Sequence, residues 1–213
     1  CEFLKIDTSN KTVIFNTNTK KIKPIFNYSL DKIPRIYLYS LPKDFNKNMP
    51  ITERKILFIK IILPQILRVN EKILTDREKI KDYYKKLNTK KRINTKEKEW
   101  IKKVSYFYNC IQCSEKKLLE HVDIITPSIT ISQAAVESGW GMSRFSIEGN
   151  AIFGLRTFNT KKRGIYPTGV GHKNFKVATY ETLLDSILAY SINLNSHSSY
   201  NAFRKVRAEI RND

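Results

Sequence analysis

The chain has 213 residues and a formal net charge of +19, from 39 lysines and arginines against 20 aspartates and glutamates. A charge of this size predicts an anionic environment or partner. The sequence contains no helix-turn-helix, zinc-finger or RNA-binding signature, which argues against a nucleic-acid-binding protein. Lys60 and Pro64 interrupt its most apolar region, so the sequence predicts no membrane-spanning helix.

Glycine and proline positions divide the chain into regions of different character. Five of the seven prolines precede residue 65, whereas all seven glycines lie between Gly139 and Gly171. Region 1–50 is therefore predicted to be extended or irregular and to pack over another surface. Region 51–121 has apolar residues at helical spacing and is predicted to be a helical support for the rest of the chain.

Three helices are predicted within the support region. The first runs from Thr52 to about Leu87, either as one long helix or as two helices separated at Pro64. The others run from Thr95 to about Tyr108 and from Ser114 to about His121. Between these two helices lies the chain's single Cys-x-x-Cys sequence.

Cys110 and Cys113 form that pair, and a structural zinc site would need a second pair of ligands. His121 is the nearest further candidate, but one histidine leaves the ligand set incomplete. The favoured interpretation is a local disulfide or two inert thiols. We therefore expect neither a metal ion nor another cofactor.

Residues 133–141, Gln-Ala-Ala-Val-Glu-Ser-Gly-Trp-Gly, are the most informative stretch. Thr126 is a candidate N-cap, Pro127 the first helical residue and Gly139 the helix end, which places Glu137 in the last turn. A carboxyl group beside an indole and small apolar residues is poorly solvated when ionised, which favours the protonated form that a general acid needs. The alternative is an ordinary exposed glutamate at the end of an amphipathic helix.

The region after this helix predicts a small β-hairpin lobe. Residues 149–180 contain five glycines, and Val177 to Thr179 is a β-branched-rich run. From Tyr180 to Leu194 the apolar spacing is again helical. The chain is therefore predicted to be mainly α with one small β lobe.

Several motifs follow one another in a specific order. They are the nonapeptide 133–141, Ser-Arg-Phe at 143–145, Glu-Gly-Asn-Ala-Ile-Phe-Gly at 148–154 and Tyr-Ser-Ile-Asn-Leu-Asn at 190–195. In order and spacing they resemble Bax-like proteins, which belong to the N-acetylglucosaminidase group of glycoside hydrolase family 73. Segments 33–37, 41–44 and 54–60 also resemble the N-terminal part of Bax-like chains, so the resemblance covers most of the sequence.

The resemblance implies a lysozyme-like catalytic domain at 122–213 that hydrolyses the glycan strands of peptidoglycan, with Glu137 similar to the family's general acid. Flat apolar faces and a few polar groups near this residue would bind the sugar. The candidate substrate-binding residues are Gln133, Ser138, Trp140, Asn150, Phe153 and Tyr180. Phe153 could instead belong to the hydrophobic core. Trp140 could instead pack over Glu137.

Glycosidases usually use two carboxylates, and the second is missing from the expected place. In many relatives it lies in the β hairpin, but residues 149–180 contain no Asp or Glu and six Lys or Arg. Three alternatives follow. Glu148 or Asp185 acts as the second carboxylate, the acetamido group of the substrate replaces that carboxylate, or the activity is low. In the last case the protein is a wall-binding or scaffolding protein that has kept the cleft.

The resemblance also implies a location in the bacterial cell envelope, on the periplasmic side, with peptidoglycan rather than nucleic acid as partner. Cys1 fits either an arbitrary cut or the lipidated first residue of a bacterial lipoprotein, which would tether the protein to a membrane. Bax-like chains continue beyond the segment that matches 203–211. A domain shortened at its C-terminus is therefore a further expectation.

Overall fold

The computed structural model describes residues 13–15, by their backbone, together with 33–168 and 174–211. These ranges are mainly helical, with a small antiparallel three-stranded sheet, which confirms the predicted fold class. Within them, every helix is too short or too polar to span a lipid bilayer. In chain order the elements are β1 (Val13–Phe15), β2 (Ile36–Leu38), α1 (Ile51–Asn88), α2 (Thr95–Phe107), α3 (Glu115–His121), α4 (Pro127–Ser138), α5 (Arg144–Gly149), β3 (Arg156–Thr157), β4 (Gly164–Ile165), β5 (Lys176–Ala178), α6 (Leu183–Ser196), a 3-10 turn (Ser198–Tyr200) and α7 (Asn201–Ile210).

The chain forms two compact units, each of which is discontinuous in sequence. Of the described residues, the first unit contains those up to Val69 and those within Thr126–Tyr190. The second unit contains Asn70–Ile125 and the described residues from Ser191 onward. Region boundaries at residues 50 and 121 remain a prediction from the sequence.

Helix α1 is one continuous helix that includes Pro64, so the first of the two predicted alternatives is confirmed. In the first unit one face of α1 carries apolar residues at helical spacing that are fully buried. Each such side chain contributes about 1.5–3 kcal/mol of hydrophobic stabilisation, and this face forms the core of the unit. Its members are Phe58, Ile61, Ile62, Ile66 and Val69.

The described part of the predicted extended region packs as expected. Strand β2 pairs in parallel with β1, and residues 39–50 continue as turns and irregular chain. Leu41 and Phe45 lie against Gly141: a Cβ atom on that glycine would be 2.8 Å from Leu41 Cδ1 and 3.0 Å from Phe45 Cε1. Residues 1–12 and 16–32 of this predicted region lie outside the described ranges.

The β lobe is a three-stranded antiparallel sheet rather than a simple hairpin. Strand β5 is central, with β3 on one side and β4 on the other. Gly164 allows the close approach of β4, because a Cβ atom there would lie 2.8 Å from the carbonyl oxygen of Val177. The short β4 has only two residues, which is why its pattern does not stand out in the sequence.

A buried ionic cluster stabilises the second unit. Asp123 is fully buried and lies near the guanidinium groups of Arg77, Arg207 and Arg211. Burial lowers the pKa of Arg207 to about 10, although the charge of Asp123 opposes this shift. Arg207 also donates hydrogen bonds to backbone carbonyl groups, including Glu120 O at 2.8 Å and Ile124 O at 3.1 Å. The cluster thereby connects α7 to the chain around α3.

Cys110 and Cys113 form a disulfide in the turn between α2 and α3, which confirms the first of the two interpretations of this pair. The Tyr84 hydroxyl donates a hydrogen bond of 3.0 Å to the carbonyl of Cys113 and fixes this turn against α1. Because the two sulfur atoms are bonded to each other, the pair presents no thiolates to a metal ion.

Candidate active site

Helix α4 places Glu137 on an open face. The helix begins at Pro127 and ends at Ser138, with Thr126 at the N-cap position and Gly139 in the left-handed conformation after the last turn, as predicted. The Thr126 hydroxyl, however, makes no capping hydrogen bond. One face is buried through Thr130, Ala134, Ala135 and Ser138, and the opposite face exposes Gln133, Val136 and Glu137.

Glu137 is exposed, so the predicted poor solvation of its carboxyl group beside an indole and small apolar residues is wrong. The indole of Trp140 packs edge-on against Phe58, with ring centres 5.9 Å apart, and Lys55 Nζ lies 4.9 Å above it. Trp140 is therefore a packing residue of the first unit, in contact with α1. Its ring is half-buried, and the sequence-based role in sugar stacking stays a prediction.

A tight turn follows Glu137 and accounts for the two glycines of the nonapeptide. Gly139, Trp140 and Gly141 all have positive φ, at 56°, 57° and 79°. For a tryptophan this conformation costs about 1–3 kcal/mol, which the surrounding packing must offset. The Ser138 hydroxyl donates to Ala134 O at 2.5 Å and accepts from Gly141 N at 2.7 Å. Ser138 is fully buried, so its hydroxyl supports the turn rather than the exposed face.

Gln133 lies one turn before Glu137 on the exposed face. The hydroxyl of Tyr190 donates a 2.5 Å hydrogen bond to Gln133 Oε1. Tyr190 is itself buried and stacks on Phe153, with ring centres 4.0 Å apart and planes 12° apart. This contact orients the amide of Gln133, whose Nε2 atom remains its hydrogen-bond donor. Phe153 is buried, which confirms its core alternative.

Asn150 and Tyr180 fasten the β lobe to the helices. Asn150, at φ 53°, ends α5 and donates through Nδ2 to the carbonyls of Tyr180 and Glu181, at 3.2 and 3.0 Å. Its Oδ1 atom is buried and has no hydrogen-bond partner among the described residues. Burial raises the pKa of Tyr180 to about 12, so its hydroxyl is a hydrogen-bond donor at neutral pH. The Asn150 side chain therefore has a structural role, and the sequence-based roles of Asn150 and Tyr180 in substrate binding stay predictions.

Gly154 faces the Glu137 carboxylate at the start of the β lobe. The position of a Cβ atom on Gly154 lies 3.8 Å from Glu137 Oε2, and the backbone there has φ 58°. Because no side chain extends from this position, the carboxylate has open space beside it. Gly154 and Tyr190 were both missed as site residues. Both lie in motifs that carry the family resemblance, at 148–154 and 190–195. Their contacts could not be derived locally, because Tyr190, for example, lies 57 residues from the glutamine that it orients.

The two candidate second acids both have local partners. Glu148 Oε2 lies 3.6 Å from Arg144 Nη1 in a half-exposed pair. Asp185 accepts hydrogen bonds from Thr182 N and Oγ1, at 3.1 and 2.7 Å, and its own N donates to Thr182 Oγ1 at 3.0 Å. This reciprocal arrangement is a capping box at the start of α6, which gives Asp185 a structural role.

The chain is similar to known proteins over most of its length. The glucosaminidase family model, described as mannosyl-glycoprotein endo-β-N-acetylglucosaminidase, matches residues 114–212. The chain is 31% identical over 170 residues to protein bax of Escherichia coli (strain K12). That match covers 79% of this chain and 60% of the relative's length. No solved structure is significantly similar. The chain is therefore a Bax-like member of the glucosaminidase family.

Proposed function

We propose that the protein is an endo-β-N-acetylglucosaminidase that hydrolyses peptidoglycan strands, with Glu137 as general acid. The observation that carries this proposal is the exposed Glu137 carboxylate, which lies beside the open space at Gly154 within the region matched by the family model. The bacterial cell envelope, on its periplasmic side, is the proposed location. Cys1, on which the sequence-based expectation of a membrane tether depends, lies outside the described ranges.

Glu137 would donate its proton to the glycosidic oxygen as the bond from that oxygen to the anomeric carbon breaks. The bound sugar would replace the water around the exposed carboxyl group and bring the glycosidic oxygen within hydrogen-bond reach of it. Gln133 Nε2, oriented by the hydrogen bond from Tyr190, would donate to a polar group of the sugar one helical turn away. The structural elements of the proposal thus all belong to the first unit.

The acetamido group of the substrate is the proposed nucleophile. Residues 149–180 contain no carboxylate, Glu148 is paired with Arg144, and Asp185 caps α6. Substrate assistance is an established exception to the two-carboxylate rule for N-acetylated sugars. In this scheme the acetamido oxygen attacks the anomeric carbon, and water then opens the cyclic intermediate with Glu137 accepting its proton.

The test is a product analysis of purified peptidoglycan digested with the wild-type protein. Mass spectrometry should find new reducing ends on N-acetylglucosamine. Reducing N-acetylmuramic acid would instead identify a muramidase, and no new ends would exclude a hydrolase. Glu148→Gln and Asp185→Asn should both retain most of the turnover, provided that they are folded. Loss of turnover in one of them would assign that carboxylate as the second catalytic group.

A wall-binding protein with little or no turnover is the second candidate. The observation that favours it is the β lobe without carboxylates, where many relatives have an acid. It predicts tight binding to peptidoglycan strands with no reducing ends released. Binding and product release, measured on the same preparation, separate the two candidates.

A further inference from the structure

The β lobe carries a strongly basic segment. From β3 through the following loop, residues 156–163 have four cationic side chains and no acidic one, and all four are exposed. Phe158 lies among them with 73% of its surface exposed. We call residues 156–163 the basic segment; its cations are Arg156, Lys161, Lys162 and Arg163.

The charges of the basic segment are hardly neutralised. Arg163 and Glu181 are 4.0 Å apart with both side chains more than four-fifths exposed, and an exposed pair of this kind contributes little. The guanidinium of Arg156 lies 4.5 Å from the centre of the Phe175 ring. Lys161 and Lys162 have no ion pair within the part of the chain that the structure describes. The segment therefore has an attractive potential for an anion.

The loop that carries these lysines is held in place. Lys176 Nζ donates hydrogen bonds to the carbonyl oxygens of Thr160 and Lys162, at 3.1 and 3.4 Å. The backbone N of Lys161 also donates to Asn159 Oδ1 at 3.0 Å. An ordered loop loses less conformational entropy on binding than a disordered one, so its charges are better placed to contribute to affinity.

The basic segment begins beside the proposed catalytic carboxylate. Strand β3 starts two residues after Gly154, and a Cβ atom on Gly154 would lie 3.8 Å from Glu137 Oε2. We propose that the basic segment binds the carboxylates of peptide substituents on the glycan strand, so that the enzyme selects peptide-bearing over bare strands. This inference rests on the proposed function. Charge complementarity favours such a substituent, because a peptide supplies carboxylates for the lysines and apolar atoms for the Phe158 ring.

The test is a binding measurement with the full chain carrying Glu137→Gln, so that strands are not cut during the experiment. The variant is Lys161→Gln with Lys162→Gln. The matched control is Lys102→Gln with Lys103→Gln, which removes the same charge from exposed positions on α2. Each protein is titrated with peptide-bearing strands, with strands stripped of peptides by an amidase, and with vesicles that contain an anionic phospholipid.

We expect the Lys161 and Lys162 double variant to bind peptide-bearing strands about fivefold more weakly at low salt, because it loses two exposed ion pairs with the strand. The difference should shrink as salt screens the charges. Stripped strands should bind the double variant and the control alike. Four outcomes would each overturn the inference. They are an equal loss of affinity in the control, an equal loss on stripped strands, no binding to any strand, and a loss confined to the vesicles. Failure of the wild-type protein to release reducing ends would overturn the proposed function, and it leaves this binding comparison interpretable.

Discussion

Gly141→Ala tests whether the turn after Glu137 depends on glycine for space as well as for its backbone conformation. A methyl group there would lie 2.8 Å from Leu41 Cδ1, 3.0 Å from Phe45 Cε1 and 3.2 Å from Phe58 Cδ2. Overpacking of this kind costs about 1–3 kcal/mol. The left-handed backbone, at φ 79°, adds about 1–2 kcal/mol for any residue with a Cβ atom.

Gly139→Ala is the matched control, because Gly139 has φ 56° but no atom within 4 Å of its Cβ position. It should show the backbone cost alone, about 1–2 kcal/mol. Gly141→Ala should therefore lower the melting temperature further, by about 2–12 °C, at about 2–4 °C per kcal/mol for a chain of this size. Denaturant unfolding followed by tryptophan fluorescence gives the free energies directly.

A double variant identifies the clash itself. Leu41→Ala removes the atom nearest to the new methyl group, so it should be less costly in the Gly141→Ala background than in the wild type. A coupling energy of about 1 kcal/mol is expected for residues in contact. Equal destabilisation by Gly139→Ala and Gly141→Ala, with no coupling to Leu41, would refute the packing argument.

Two further predictions concern an orienting hydrogen bond and the second unit. Tyr190→Phe removes the donor to Gln133 Oε1, and it should lower kcat/KM about 2–10-fold with little effect in a Gln133→Leu background. Measured rates that fall equally in both backgrounds would show that Tyr190 does not act through Gln133. Burial lowers the pKa of His121 below 6.5, so the folded state favours the neutral ring while the unfolded chain takes up a proton. Stability should therefore be full above about pH 6.5 and decline as pH falls below it. The measurement is the melting temperature between pH 5 and 8, about 1.5 units either side of the ordinary histidine pKa. It should fall with decreasing pH in the wild type and fall less in His121→Gln.

Local signals in the sequence were sufficient for the helices around the site. Pro127 and Gly139 mark the two ends of α4, and the apolar spacing of α1 indicates its buried face. These signals come from backbone preferences and from burial, which act within one helix. They gave the position of Glu137 in the last turn but not its surroundings.

The environment of Glu137 could not be derived in the same way. Trp140 was expected to cover the carboxyl group because it is close in sequence. It lies instead within a turn of three residues with positive φ and packs on Phe58. The residues that do shape the site, Gly154 and Tyr190, are brought there by the β lobe and α6. Such long-range contacts depend on tertiary packing, which local propensity does not encode.

The most direct test of the proposed mechanism is the rate at which Glu137→Gln releases reducing ends from peptidoglycan. Gln preserves the size of the side chain at an exposed position, so the variant should melt like the wild type. Loss of a general acid should lower kcat by about 10²–10⁴-fold. Glu181→Gln, at another exposed glutamate of the first unit, is the control and should keep its rate. A folded Glu137→Gln protein with the wild-type rate would contradict the assignment of Glu137 as the proton donor.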